Sequence, residues 1–160
     1  MRFSTRLFAL ALIFNASPAP TALADDLTKA FAETIYVPAY SRIFSFPDRS
    51  ELLAATLTVH NIDPQTPLTV TKVDYHGEDG KLLKSILDAP LRLEPLGSAS
   101  FLVPSNDTTG GVGANFLVEW SADQGALSPL TEAVMVTGPG TPGPSFTSRG
   151  RVISRTAAEE

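Results

Sequence analysis

The sequence predicts an all-β protein, a single immunoglobulin-like antiparallel β-sandwich of about eight strands with no disulfide bond. Short runs of alternating apolar and polar residues recur at the spacing that is typical of such sandwiches. Gly, Pro, Asn and Asp cluster between these runs, where turns are expected. No stretch has the periodicity of a strong helix. Because the chain contains no cysteine, its hydrophobic core must hold it together.

The N-terminus has the features of a secretory signal peptide. Arg2 and Arg6 provide a basic start, Leu7–Phe14 is apolar, and Ala22–Ala24 has the small-x-small form of a cleavage site. The apolar run is shorter than the roughly 18 to 20 residues that span a bilayer. We expect cleavage after Ala24 to remove residues 1–24 and to leave a periplasmic or secreted protein. The alternative is an uncleaved N-terminal anchor.

Composition limits the partners of the protein. The chain has 17 acidic and 12 basic residues, and its formal net charge is −5. Nucleic acid and anionic membranes attract clustered Lys and Arg, so neither is an expected partner. The absence of cysteine also excludes thiolate zinc sites and a cysteine nucleophile. No cofactor is expected.

Three segments open the mature chain, and the sandwich domain is expected to span residues 35–153. Residues 25–34 are polar and alanine-rich, and so short a segment is expected to form a loosely docked leader. Ile35–Phe44 is rich in β-branched and aromatic residues, and its proline confines it to an edge strand or to a strand with a break. Leu53–His60 alternates cleanly, which predicts a half-buried strand.

The next two strands are expected to form a hairpin. The apolar phase shifts within Leu68–Tyr75, which predicts a bulge near Thr71 or Lys72. Gly77–Gly80 follows as a strong hairpin signal, and its last glycine suits a positive φ. The chain is then expected to return antiparallel to this strand through Lys81–Leu87.

The second half of the chain predicts further short strands, around Leu91–Leu93, Ala99–Val103, Phe116–Trp120 and Ala133–Val136. Trp120, the only tryptophan, is expected in the core on the same face as Phe116. Residues 138–144 contain three glycines and three prolines and cannot form a ladder, so they predict an exposed connector. A last strand is expected at Ser145–Ile153, followed by a frayed tail at residues 154–160.

Several motifs of the chain form a recognisable set, namely Tyr36–Ser41, Leu57–Pro64, Val73–Tyr75, Gly80–Leu82, Thr109–Trp120 and Phe146–Ile153. Between Ile35 and Ile153 the chain resembles a bacterial exported family that is catalogued only as a domain of unknown function. The resemblance implies an exported β-rich protein and brings no assigned activity, ligand or catalytic residue. It also implies that arginine is more usual at the position of His60 and an aromatic residue at that of His76.

The glycine-rich loop Thr108–Gly113 and the last strand together form a candidate ligand site. Successive backbone amides of such a loop can bind an anion, and a pair of guanidinium groups can hold a carboxylate, phosphate or sulfate. The candidate ligand-binding residues are Thr108, Gly110, Gly111, Asn115, Arg149 and Arg151. The loop lacks the lysine and the following helix of a phosphate-binding loop, so the alternative is a wide turn whose glycines satisfy backbone angles.

Arg149 and Arg151 are expected to project from one face of the last strand. The alternative is that both make structural ion pairs, with Glu119, Asp123 or another acid of this acidic chain. Free arginines that line a cleft would favour a ligand site. Neutralised arginines would favour a structural role.

Two further groups of residues have chemistry of interest. A divalent cation would need convergent imidazole and carboxylate ligands, for which the candidates are His60, Asp74, His76 and Glu78. An aromatic platform that stacks on sugars would come from Tyr36, Tyr40, Phe44 and Phe46. The ordinary alternatives are a solvated hairpin tip and a core stripe, and no metal site is expected.

No catalytic constellation is recognisable, since the chain has neither a Gly-x-Ser-x-Gly elbow nor a His-Glu-x-x-His helix. We therefore expect a non-catalytic module that acts in protein interaction or assembly in the periplasm or cell envelope, with an envelope protein as partner. The alternative is a protein that binds a small carbohydrate or anion with the glycine-rich loop and the strand of Arg149 and Arg151.

Overall fold

The structure is a computed structural model that describes residues 28–138, 140 and 142–157. This part of the chain contains no helix, and none of it therefore meets the length and apolarity that a membrane-crossing helix needs. It forms eleven strands: β1 (Lys29–Pro38), β2 (Arg42–Phe46), β3 (Arg49–His60), β4 (Leu68–His76), β5 (Leu82–Ser85), β6 (Leu91–Leu93), β7 (Ser98–Val103), β8 (Asn115–Leu127), β9 (Leu130–Thr137), β10 (Ser145–Arg149) and β11 (Arg151–Ala157).

The first sheet is built around β8. Its strand order is β11-β1-β8-β4-β5, and β6 also pairs with β4. Val118 of β8 lies between Ile35 of β1 and Val73 of β4, and all three side chains are buried. Phe116 and Trp120 are buried on the same strand, which confirms the prediction that this strand contributes to the core.

The second sheet is built around β3. Its order is β10-β9-β3-β2, and β7 also pairs with β3. Alternate side chains of β3 are buried, namely Leu53, Ala55, Leu57 and Val59. The intervening residues are partly exposed, as expected for a half-buried strand.

Both sheets contribute to a single hydrophobic core. The largest fully buried side chains are Trp120, Tyr75 and Phe116 of the first sheet, together with Leu53, Leu57 and Met135 of the second. Burying one large apolar side chain contributes roughly 1.5 to 3 kcal/mol. Such a core replaces the disulfide bonds that the chain lacks.

The expected β4–β5 hairpin is present. The two strands pair antiparallel, with Asp74 opposite Ser85. The register of β4 against β8 shifts between Val70 and Lys72, which confirms the predicted bulge. Gly80 in the turn has a φ of 78°, as the hairpin signal requires.

The last strand changes sheets at Gly150, which corrects the expectation of one continuous strand over Ser145–Ile153. β10 pairs with β9 in the second sheet, whereas β11 pairs with β1 in the first. The Gly150 amide donates to the Thr131 carbonyl across 2.8 Å. A Cβ atom at Gly150 would lie within 3.0 Å of the side chains of Thr131 and Ile35. Glycine therefore permits the close crossing.

The expected strand Ile35–Phe44 is also divided between the sheets. β1 ends at Pro38, and the chain then turns before β2 begins in the second sheet. Two amides of the turn donate to carbonyls in or next to the glycine-rich loop. The Ala39 amide donates to the Ala114 carbonyl, and the Ser41 amide donates to the Gly111 carbonyl. Such breaks raise the number of strands to eleven, so the count of about eight is not confirmed. The all-β class and the two antiparallel sheets are confirmed.

Both ends of the domain extend beyond the expected boundaries of 35–153. Lys29–Thr34, within the expected leader at 25–34, forms the first part of β1. Ser154–Ala157, within the expected tail at 154–160, continues β11. These two segments pair with each other, so each supplies the partner that orders the other. The expected signal peptide, residues 1–24, lies outside the described residues.

Candidate functional site

The glycine-rich loop is closed by hydrogen bonds within the protein. The Gly110 carbonyl accepts from the Glu78 amide across 2.9 Å. The Gly111 carbonyl accepts from the Ser41 amide across 3.1 Å and from the Ser41 hydroxyl across 3.0 Å. The Val112 amide donates to the Glu78 carboxylate across 2.9 Å. Glu78 therefore occupies an amide that an anionic ligand would need.

Close packing explains why two positions of this loop are glycine. A Cβ atom at Gly110 would lie within 3.0 Å of the Tyr75 phenol. Gly111 has a φ of 76°, and a Cβ atom there would collide with the carboxylate of Glu78. L-residues with a side chain rarely adopt such a φ. These contacts favour the interpretation of the loop as a conformationally demanding turn.

Tyr75 is buried beneath the loop and packs on Phe116, with ring centroids 5.3 Å apart. Burial raises the pKa of the Tyr75 phenol because the phenolate would lose its hydration, and the nearby Ser41 hydroxyl opposes this shift only in part. The Tyr75 hydroxyl makes no hydrogen bond of standard geometry within the described chain. Tyr75 therefore acts as a neutral packing residue under the loop.

The two arginines of the candidate site lie in different sheets. Arg149 ends β10 opposite Glu132, whereas Arg151 begins β11 opposite Tyr36. The expectation that they share one face is wrong, because the chain crosses between the sheets at Gly150.

The ion pairs that were the alternative for these arginines are not formed within the described residues. Glu119 instead lies 3.3 Å from the Lys72 ammonium group. In the described part of the chain, neither Arg149 nor Arg151 makes an ion pair or a side-chain hydrogen bond. Both arginines are exposed. Neither Glu119 nor Asp123 therefore neutralises these arginines in the described part of the chain.

A cavity of about 350 Å³, which we call the seam cavity, lies where the chain crosses between the sheets. Arg149 and Arg155 contribute the charged groups of its lining, and the apolar side chains are those of Ile35, Ile62, Leu127, Pro129, Leu130 and Val152. Neither Arg151 nor any residue of the loop at 108–113 lines this cavity. Thr108 is exposed, and Asn115 is buried in β8 between Pro38 and His76. The six candidate residues thus do not form one site.

Arg155 is held at the seam cavity by a buried carboxylate. Its Nε donates to Glu33 Oε1 across 2.6 Å, and its Nη1 donates to Thr28 Oγ1 across 2.8 Å. Glu33 Oε2 accepts from Trp120 Nε1 across 3.1 Å and from Ser128 Oγ across 2.6 Å. The Glu33 side chain is 0% exposed, so these donors replace its lost hydration.

Sequence reasoning misses Glu33 and Arg155 because they fall within the expected leader and tail. One signal was present in the sequence. Glu33, Ile35 and Val37 alternate, which would place the carboxylate on the buried face of an earlier strand start. An acidic residue on the same strand face as two β-branched core residues indicates that its carboxylate is buried and has a partner.

Asp63 adjoins the seam cavity through Leu127, whose amide donates to Asp63 Oδ2 across 3.1 Å. Asp63 Oδ1 accepts from the Gln65 and Thr66 amides, each across 2.9 Å. Burial opposes ionisation, but these amides and the Lys29 ammonium group outweigh it and lower the pKa of Asp63 from 3.8 to about 2. The carboxylate thereby ties the β3–β4 connection to the end of β8.

The four candidate cation ligands do not converge. His60 ends β3 in the second sheet, whereas the other three candidates lie at or just beyond the end of β4 in the first. Asp74 accepts from the Ser85 hydroxyl across 2.7 Å and lies 3.2 Å from the Lys72 ammonium group. Over the residues that the structure describes, no three His, Cys, Asp or Glu side chains are placed to hold a metal ion.

The aromatic residues of the N-terminal half are also divided. Tyr36 lies in the first sheet, and Tyr40 packs edge to face on Phe146 with centroids 5.6 Å apart. Phe44 and Phe46 of β2 are 63% and 68% exposed. The turn between β1 and β2 therefore separates these rings, and they do not form one platform.

Comparisons with known proteins identify a family whose description assigns no function. No curated protein matches the chain. A solved structure described as the crystal structure of Thermotoga maritima 1070 is similar, with a TM-score of 0.43 and 10% identity over 76% of this chain and 93% of the other. The sequence model of the family described as "Protein of unknown function (DUF3124)" matches residues 32–153, which confirms the resemblance noted above. The chain therefore belongs to the DUF3124 family.

Proposed function

We propose that the protein is an exported, non-catalytic binding module that takes a small anionic ligand in the seam cavity. The observation that carries the proposal is the position of Arg149, a guanidinium group without a protein partner in the described chain at the rim of a mainly apolar cavity. Three other described arginines are engaged by acids, namely Arg49, Arg92 and Arg155. In a chain with net charge −5, an uncommitted arginine at a cavity suits an anion.

The remaining parts of the proposal have separate support. The basic and apolar N-terminus with its Ala22–Ala24 site supports export to the periplasm or beyond. The lack of a recognisable catalytic motif in the sequence supports a binding role. Two antiparallel sheets around a buried tryptophan support an immunoglobulin-like scaffold.

A thermal-shift screen of carboxylates, phosphate, sulfate and sugars tests the ligand class. At least one anion should raise the melting temperature of the protein, because a ligand that binds only the folded state stabilises it. Arg149→Ala should abolish the rise. Arg151→Ala is the matched control, since it removes another exposed arginine, which lies outside the cavity. A rise that survives Arg149→Ala, or none with any anion, would contradict the proposal.

A second candidate function, binding of an envelope protein, is favoured by the outer face of the second sheet. Leu52, Leu102 and Val136 are 44%, 59% and 38% exposed. Leu102 and Val136 pair with outward-facing residues of β3, so the three side chains lie on one face. Large exposed apolar patches mark interaction surfaces, and the shared face of these side chains supports such a patch here.

Cross-linking in intact envelopes tests this second candidate. The double variant Leu52→Lys/Leu102→Lys should lose a specific cross-linked species that the wild type forms. Leu82→Lys is the control, because Leu82 is 54% exposed on β5 of the other sheet. An unchanged cross-linking pattern in the double variant would remove this candidate.

A further inference from the structure

We infer that the ligand of the seam cavity is an aliphatic carboxylate, either a short free acid or the C-terminal residue of a peptide. This inference rests on the proposed function and specifies its ligand. Three properties of the cavity carry it: the chemistry of its walls, its net charge and its volume.

The walls of the seam cavity are aliphatic. The apolar surface comes from Ile35, Ile62, Leu127, Leu130 and Val152, and the lining that the structure describes contains no aromatic side chain. Sugars are usually held by stacking on aromatic rings together with several polar groups. Branched aliphatic walls instead suit a hydrocarbon group, whose transfer from water contributes about 0.8 kcal/mol per buried methylene group.

The charge of the seam cavity matches a single negative charge. Arg155 is neutralised by Glu33, with Nε to Oε1 at 2.6 Å, whereas Arg149 has no ion-pair partner in the described chain. Among the residues that the structure describes, no acidic side chain belongs to the lining. In the described part of the chain, the lining therefore has one arginine, Arg149, without an acidic partner. A carboxylate balances this charge, but a phosphate dianion would leave a charge in contact with apolar walls.

The donors at the rim also suit a carboxylate. The guanidinium group of Arg149 can present two parallel N–H donors to the two oxygens of one carboxylate. Glu33 and Thr28 engage the Nε and Nη1 of Arg155 and fix its orientation beside the opening. Glu33 is accordingly a positioning residue for Arg155, and it takes no direct part in binding.

The volume sets the size of the ligand. At about 350 Å³ the seam cavity is at the small end of the range, roughly 300 to 1,000 Å³, of ligand-binding cavities. Such a space suits one short acyl chain or one terminal residue with a side chain such as that of leucine or valine. It does not hold a long lipid or a folded domain.

Calorimetric titration of the purified protein with acetate, butyrate, hexanoate and inorganic phosphate tests the inference. From acetate to hexanoate, Kd should fall about two- to fourfold for each added methylene group, because each group leaves water for an aliphatic wall. Phosphate should bind at least tenfold more weakly than hexanoate. Ile62→Ser, at a residue that is 37% exposed, should weaken hexanoate binding about threefold or more.

Ile153→Ser is the matched control for the apolar wall. Ile153 is 58% exposed and adjoins Val152 in sequence, but it does not line the cavity, so hexanoate binding should be unchanged. A second arm compares acetyl-Ala-Leu bearing a free C-terminus with the same peptide bearing an amide. Tighter binding of the free peptide than of hexanoate would identify a peptide terminus as the source, and the reverse would identify a free acid.

The contradicting results separate this inference from the proposed function. Binding of phosphate or sulfate that depends on Arg149, without any gain from acetate to hexanoate, would overturn the aliphatic carboxylate and leave an anion-binding module. Hexanoate binding that Ile62→Ser does not affect would also overturn the inference. If no anion binds in a manner that depends on Arg149, both the inference and the proposed function fail.

Discussion

Arg155 Nε donates to Glu33 Oε1 across 2.6 Å, and this ion pair joins the edge strand β11 to β1 beside the seam cavity. The two residues are 122 positions apart in the sequence. The pair links the two ends of the described chain, and Trp120 of the core donates to the same carboxylate.

Arg155→Ala should destabilise the protein by about 2 to 3 kcal/mol, because it leaves the fully buried Glu33 without a charged partner. The Arg155 side chain is 36% exposed, so the loss should fall below that of a fully buried pair. Urea unfolding measures the change. Arg151→Ala, on the same strand, should change the free energy of unfolding by less than about 0.5 kcal/mol. Equal effects of the two substitutions would show that the pair is not structural.

Gly110→Ala should destabilise the protein by about 1 to 3 kcal/mol through overpacking, because its Cβ atom would collide with the Tyr75 phenol. Tyr75→Phe alone should be nearly neutral, since the buried hydroxyl makes no hydrogen bond of standard geometry within the described chain. A double-mutant cycle by urea unfolding should give a smaller cost for Gly110→Ala in the Tyr75→Phe background. Additive effects of the two substitutions would mean that a collision with the Tyr75 hydroxyl does not cause the cost of Gly110→Ala.

Stability should fall in acid through the protonation of Asp63. Its pKa in the folded protein is about 2, below the ordinary value of 3.8. Because folding lowers this pKa, the stabilisation is fully present above about pH 4 and is lost as the pH falls towards 2, with a magnitude of about 2 kcal/mol.

Asp63→Asn isolates this contribution to the pH dependence. The variant should be less stable than the wild type at pH 6 by about 2 kcal/mol, and the difference should shrink at pH 2.5. Urea unfolding at the two pH values measures both differences. An equal difference at the two values would show that the Asp63 charge does not contribute.

Export is expected to remove residues 1–24. Expression of the full chain in a Gram-negative host should yield a periplasmic protein, since Ala22–Ala24 has the form of a cleavage site. Its intact mass should equal that of a chain that begins at Asp25. Ala24→Lys should block processing and leave the longer chain. An unprocessed wild-type chain in the cytoplasm would contradict the expectation.

The strands with strict alternation are predictable from the sequence. β3 and the Phe116–Trp120 part of β8 each have one buried face, so a period of two residues identifies them. The bulge in β4 and the turn at Gly80 are local features with local signals, and both are confirmed. These features depend on neighbours in sequence, which is why the residues alone predict them.

The candidate site depends on contacts between distant residues and is less predictable. The change of sheets at Gly150 is set by its approach to Thr131 and Ile35, which no local pattern encodes. It separates Arg149 from Arg151, so the parity that predicts one shared face does not apply. The loop at 108–113 is likewise closed by a distant residue. Glu78, which accepts from the Val112 amide, lies 34 positions before it in the sequence.

The most direct test of the account is a titration of ¹⁵N-labelled protein with hexanoate, followed through the backbone amide resonances. Hexanoate binding in the seam cavity predicts that Arg149→Ala abolishes the shifts and that they cluster at amides of the cavity lining, namely those of Leu127, Ser128, Leu130, Thr131, Gly150 and Val152. Shifts centred on the glycine-rich loop at 108–113, or shifts that persist unchanged in Arg149→Ala, would contradict it.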